Sequence, residues 1–212
     1  MTSATGQSGP PHPIPIRSTA LVLNDMINAG LRRENDPAHN RLIAESRLIP
    51  NTVQLVAAVR EKAIPVFWIR VERRTDRADV TDNLIDAPAY AWHTPNEPIV
   101  AGSYSAANVD ELPVQPLDQV IHKPRLNPFT YTDLDLQLRA RHVNTILLGG
   151  YSTNLGVESC ARTGHDLGYD VVVISDCCFN ADKVLHEFAI TRILPNFARV
   201  MTADQAISLL RS

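Results

Sequence analysis

Residues 145–157 read Thr-Ile-Leu-Leu-Gly-Gly-Tyr-Ser-Thr-Asn-Leu-Gly-Val. A short β-branched and apolar run leads straight into two glycines. Tyr151 and three small polar residues follow, and then helical spacing from about Asn154 to Leu167. An uninterrupted apolar run suits a strand covered on both faces, because both rows of side chains are buried. The glycines let the chain turn sharply out of the strand, and Ser152, Thr153 or Asn154 can cap the helix that begins there. Strand, tight turn and helix form the repeating unit of a parallel sheet, and the rest of the chain repeats it.

Similar runs occur at Thr19–Leu23, Val66–Val71, Gln119–His122, Asp170–Ile174 and Ala198–Met201. Helical patterns lie between them. Pro50-Asn51-Thr52 opens one over Val53–Lys62, and Thr132-Asp133 opens another over Leu134–Arg141. Two more run from Asp182 to Leu194 and from Thr202 to Leu210. Right-handed crossovers then place helices on both sides of the sheet. The expectation is an α/β chain, a three-layer α/β/α sandwich around a Rossmann-like parallel sheet of about six strands. Residues 1–16 are rich in Pro, Ser and Gly and read as a flexible arm, leaving 17–212 as one domain. The stretch 72–105 is long and carries Pro88, Pro95 and Pro98 together with Tyr90, Trp92 and Tyr104. A loop of that length is usually functional, and here it is expected to line a substrate entrance.

Composition narrows the function. The formal net charge of -3 gives no electrostatic footprint for nucleic acid. No apolar stretch approaches the roughly 18 residues that span a bilayer, and the N-terminus lacks a signal-peptide pattern. A cytoplasmic protein without nucleic-acid or membrane partners is expected. Cys160, Cys177 and Cys178 have neither disulfide-framework nor zinc-site spacing and read as small buried thiols.

In open parallel sheets, ligands bind beyond the carboxyl ends of the strands. The residues there are Asn24 and Asp25, Glu72 and Arg73, Lys123 and Arg125, Gly149 to Gly156, and Asp176. By itself Asp25 reads equally well as a helix cap, and Lys123 as a solvated lysine. Together they offer more. An ammonium beside a carboxylate holds it ionised and oriented, as a general acid or base requires. The glycine turn would add backbone donors at Thr153, Leu155 and Gly156 for a developing anion.

Three segments carry a resemblance. LVLNDMIN (21–28) is an apolar strand ending in Asp followed by x-x-N. HKPRLNPFTYT (122–132) is a Lys followed by Phe-x-x-T, with Pro116 and Asp118 ahead of it. GYSTNLGVESCARTGH (150–165) is the third. In order and spacing they resemble the isochorismatase-like, or cysteine hydrolase, superfamily, over the stretch from about Ser18 to the C-terminus. The resemblance implies that Asp25 and Lys123 occupy two places of an Asp–Lys–Cys triad. The third place is Gly156, which has no side chain to attack a carbonyl and so excludes a covalent thioester there. Isochorismatases are similar in carrying glycine at this position; they protonate a vinyl ether from the Asp and add water to the oxocarbenium ion.

The resulting expectation is a hydrolase of a small, anionic molecule, with Asp25 as general acid/base, Lys123 as its partner and no thiol intermediate. An enol or vinyl ether is preferred over an amide on Gly156 alone. An amide, carbamoyl or imide hydrolase using Asp25-activated water stays open, as does an inactive binding protein on the same fold. Cys160, one helical turn beyond Gly156, reads as packed rather than nucleophilic. The seven histidines show no i,i+4 pair and IRVERRTDRADV (69–80) holds none, so neither a metal nor another cofactor is expected. His122 is the histidine expected nearest the site. Asn28, Arg73, Arg77, Trp92, Tyr104, Arg125, Phe129 and Tyr151 are the expected substrate contacts, the arginines because their forks suit carboxylates. The resemblance also implies a homodimer or homotetramer.

Overall fold

The computed structural model describes residues 12–79 and 99–211. Six strands form one parallel sheet: β1 (Thr19–Asn24), β2 (Val66–Val71), β3 (Gln119–Lys123), β4 (Thr145–Tyr151), β5 (Asp170–Phe179) and β6 (Arg199–Met201). Their order is β3-β2-β1-β4-β5-β6. The chain starts in the middle, builds outward to β3, then returns to β4 and builds the other way. This reversal opens a crevice between the carboxyl ends of β1 and β4, where ligands bind in sheets of this kind.

The helices are α1 (Asn28–Leu31), α2 (Pro37–Ser46), α3 (Leu48–Glu61), α4 (Leu134–Ala140), α5 (Glu158–Asp166), α6 (Lys183–Phe188) and α7 (Ala203–Arg211). Two hydrophobic clusters sandwich the sheet. Leu21, Leu23, Trp68 and Leu147 join α3 and α7 on one face. Ala20, Val22, Ile69, Ile121 and Leu148 join α4 and α5 on the other. Alternate strand residues thus serve opposite layers, and the continuous apolar runs reflect burial on both sides. The three-layer α/β/α expectation holds.

Several boundaries differ from the sequence pattern. α3 begins at Leu48, before Pro50, because a proline within the first turn removes an N–H that has no helical partner anyway. α2 was not anticipated, although Asp36 caps it by accepting from the His39 N–H and Pro37 follows as its first residue. β4 runs on through both glycines to Tyr151, and β5 to Phe179, across a register shift between Leu148 and Gly150. The segment expected as one helix from Asn154 is a π-helical turn, Thr153–Val157, leading into α5. The helix expected from Asp182 likewise divides into α6 and a second π-helical stretch, Ala189–Ile193.

Of the arm expected over 1–16, residues 12–16 lie against the body. Ile14 is buried in the core, and the His12 carbonyl accepts from Arg199 Nη1 at 3.0 Å. No helix among the described residues is long and apolar enough to cross a membrane.

Candidate active site

Asp25 is the first residue beyond β1 and stands at φ 48°, a left-handed conformation that aspartate tolerates better than most residues. The turn aims its carboxylate along the sheet edge. Oδ1 accepts the Val71 N–H at 2.7 Å, and Oδ2 meets Lys123 Nζ at 2.7 Å. Lys123 ends β3, two strands away, and its chain reaches across the end of β2 to make the contact. Its ammonium also donates to the Leu126 carbonyl at 3.0 Å. Both side chains are almost wholly buried, at 6% and 1% exposure. Burial raises the Asp25 pKa above the ordinary carboxylate value, with the Lys123 charge and the two hydrogen bonds pulling the other way.

Gly156 faces this pair from the π-helical turn after β4. A Cβ built on it would lie 3.4 Å from Lys123 Nζ and 3.7 Å from the carbonyls of Leu126 and Tyr151. The three positions that the sequence motifs single out therefore converge. The turn is held from behind: Thr153 Oγ1 bonds His186 Nδ1 at 2.8 Å, and Asn180 Nδ2 donates to Ser152 Oγ at 2.7 Å. The Tyr151–Ser152 peptide is cis. Cys160 is fully buried one turn further on, and burial pushes its thiol up to about 12. It therefore stays protonated at neutral pH and supplies no thiolate. Cys177 and Cys178 are buried and raised in the same way.

The similarity to known proteins follows this geometry. The profile of the Isochorismatase domain matches residues 19–205. The chain belongs to the isochorismatase family. It is 32% identical over 198 residues to YecD of Escherichia coli O157:H7, an uncharacterized isochorismatase family protein, covering 92% of this chain and 97% of that one. It is also 32% identical over 201 residues to the ureidoacrylate amidohydrolase RutB of Methylobacterium radiotolerans, covering 86% and 76%. An isochorismatase family protein from Burkholderia thailandensis superposes with a TM-score of 0.79 at 32% identity, covering 94% and 99%. The protein is thus an isochorismatase-family hydrolase.

Other expected contacts of this hydrolase are placed differently. Asn28 is buried, and its Nδ2 donates to the carbonyls of Tyr104 and Asn108, so it ties α1 to the 104–108 segment. Arg73 is buried too, donating to the Pro124 carbonyl at 2.9 Å. Arg125 donates to that same carbonyl and to Asp79, and lies over the Tyr131 ring. These guanidiniums hold the segment that follows Lys123. Arg77 sits in an exposed turn, and Tyr104 is 69% exposed. Phe129 stacks on Tyr169 and joins the core beneath α5, and Trp92 lies outside the described residues.

The Tyr151 ring packs on Phe179, and its hydroxyl accepts from Arg33 Nη2 at 3.1 Å. The Leu155 N–H already donates to the Ser152 carbonyl, so closing the turn removes it as an anion donor. His122 does not face Asp25. Strand alternation turns it to the opposite side from Lys123, where it is 56% exposed and bonds Glu72 at 2.7 Å. Glu72 raises the His122 pKa chiefly through that bond.

Sequence reasoning missed the Val71 N–H and the Leu126 carbonyl. Backbone groups leave no residue-type signal. It also missed His186, which carries no motif of its own. Among the described residues no group of three His, Cys, Asp or Glu could hold a metal ion.

Proposed function

We propose that this hydrolase cleaves a small organic substrate with Asp25 as the proton-transferring group and no covalent enzyme intermediate. The observation that carries the reading is the buried 2.7 Å contact between Lys123 Nζ and Asp25 Oδ2, beside a position that bears no side chain. With an enol or vinyl ether, the Asp25 carboxyl gives its proton to the terminal alkene carbon, and the ether oxygen stabilises the cation. Water adds to that cation and returns a proton to the carboxylate. The hemiketal then breaks its C–O bond to release a carbonyl compound and an alcohol. Lys123 orients the carboxylate and offsets its charge in the deprotonated state. A raised pKa keeps the acid form available nearer neutrality.

A second reading is favoured by the similarity to RutB, an enzyme named for ureidoacrylate hydrolysis. Here Asp25 takes a proton from water, which attacks a carbamoyl or amide carbon, and the nitrogen leaves protonated. The experiment is turnover of vinyl ethers, carbamoyl and ureido compounds and cyclic imides by wild type and Asp25→Asn. The variant is expected to lose about 10²–10⁴-fold in kcat on the true substrate. An unchanged rate refutes the role. The pH profile separates the readings. An acid-form Asp25 loses rate as pH rises through its pKa, whereas a base-form Asp25 gains rate over the same interval. An absence of turnover across the panel would instead favour a binding protein.

A further inference from the structure

The residue before Asp25 is a second buried polar group with a different hydrogen-bonding state. Asn24 ends β1 with no exposed surface. Its backbone is fixed in the sheet, opposite Ile69 on β2 and Gly150 on β4. Neither its Oδ1 nor its Nδ2 has a nitrogen or oxygen partner among the described residues. A buried amide with no nitrogen or oxygen partner, and at most a weak sulfur one, is unfavourable. Leucine has nearly the same size and would carry no such cost. The preceding residues on this side of β1, Ala20 and Val22, are apolar.

What surrounds the amide suggests what it serves. Asn24 projects toward the α4–α5 layer, as do Ile121 and Lys123 on β3. The Cys160 thiol shares a hydrogen bond with the Asn24 side chain and also feels the Lys123 charge. Cys160 is one helical turn from Gly156, on the same side of the helix. Lys123 has three ammonium hydrogens, and Asp25 Oδ2 and the Leu126 carbonyl account for two. Nζ is 3.4 Å from where a Cβ at 156 would stand. Lys123 Nζ thus borders the position beneath Gly156, and the Asn24 amide lies about one helical turn below it, against Cys160. A buried water needs two to four polar partners.

Resting on the reading of Asp25 as the proton-transferring group, we propose that Asn24 is a positioning residue. Its amide, with Lys123, holds the reacting water below position 156 so that the oxygen faces the substrate carbon. One O–H bond of that water breaks toward the Asp25 carboxylate while the new C–O bond forms. Chains commonly carry a locally unfavourable residue where function demands it, and give up stability there.

The test is Asn24→Leu, with Asn24→Ser as the variant that keeps a polar group. Thermal denaturation of Asn24→Leu is expected to show a higher Tm than wild type. On the substrate that the panel identifies, kcat is expected to fall by about tenfold or more with KM little changed. Asn24→Ser should recover part of kcat. An unchanged kcat in Asn24→Leu overturns the proposal, while loss of turnover in Asp25→Asn would still uphold the reading of Asp25. A lowered Tm also overturns it, because the amide would then be satisfied within the fold. A high-resolution crystal structure decides the matter independently of turnover. Water within hydrogen-bond distance of both Lys123 Nζ and the Asn24 amide, lost in Asn24→Leu, supports the site; its absence from wild type refutes it.

Discussion

The two halves of the sheet contribute different things to the crevice. The β1–β2–β3 half supplies charge: a carboxylate from the end of β1, an ammonium from the end of β3, and the Val71 N–H between them. The β4–β5–β6 half places backbone and space there. Gly150 passes against β1, and Gly156 faces the ammonium without a side chain. Charge placed on rigid strands needs no reorganisation when a proton moves, and a bare helical turn leaves room for substrate. Neither half makes a site alone.

The largest effect should come from the seam between the halves. Gly150 has φ 125°, and a Cβ there would stand 2.0 Å from the Asn24 carbonyl oxygen. Gly150→Ala must push β4 away from β1. More than about 4 kcal/mol should be lost, which is most of a typical domain's stability. Soluble yield and a thermal melt read this directly, and a normal melt would show that the seam is loose.

Next comes the charged half. Lys123→Met leaves a buried carboxylate without its cation, at a cost of about 3–5 kcal/mol. The pH dependence carries a sign. With Lys123 gone, the folded pKa of Asp25 rises further above its unfolded value of 3.8. The penalty is therefore absent below the unfolded value and grows as pH rises through the folded one. Urea unfolding of the variant should show a larger deficit at alkaline than at acidic pH. An equal deficit at both would mean that removing Lys123 leaves the titration of Asp25 unchanged over that range.

The smallest stability change belongs to the bare position. Gly156→Ala meets its nearest neighbour at 3.4 Å, an ordinary contact, so stability should stay within about 1 kcal/mol of wild type. Its kcat should nevertheless drop severalfold, because the methyl takes room beside Lys123 Nζ. Full activity would show that nothing needs that room, and the contrast between the halves would weaken.

Much of this was legible in the chain. The apolar runs before Asn24, Lys123 and Gly149 marked strands, and the residues just past them were bound to gather at one edge of a parallel sheet. Asp25 and Lys123 follow from that rule, and Gly156 from the resemblance that the three motifs carry. The Asp36-Pro37 start of α2 is a legible capping signal, but apolar periodicity is faint in a short helix that buries only His39 and Ile43.

Arg73 and Asn28 show the opposite case. Residue type pointed them toward a ligand, but the folded chain turns them onto the carbonyls of Pro124, Tyr104 and Asn108. Long polar side chains reach several candidate partners, and only the path of the loops selects among them.

Sequence by itself determined the layer architecture and the identity of the paired charges, because strand periodicity and side-chain chemistry are local properties. Tertiary structure alone decided that Val71 and Leu126 complete the pair's hydrogen bonds, that His122 turns away, and that the Asn24 amide has no nitrogen or oxygen partner. Those outcomes depend on how backbone groups far apart in the chain meet across the sheet edge, which no single segment encodes.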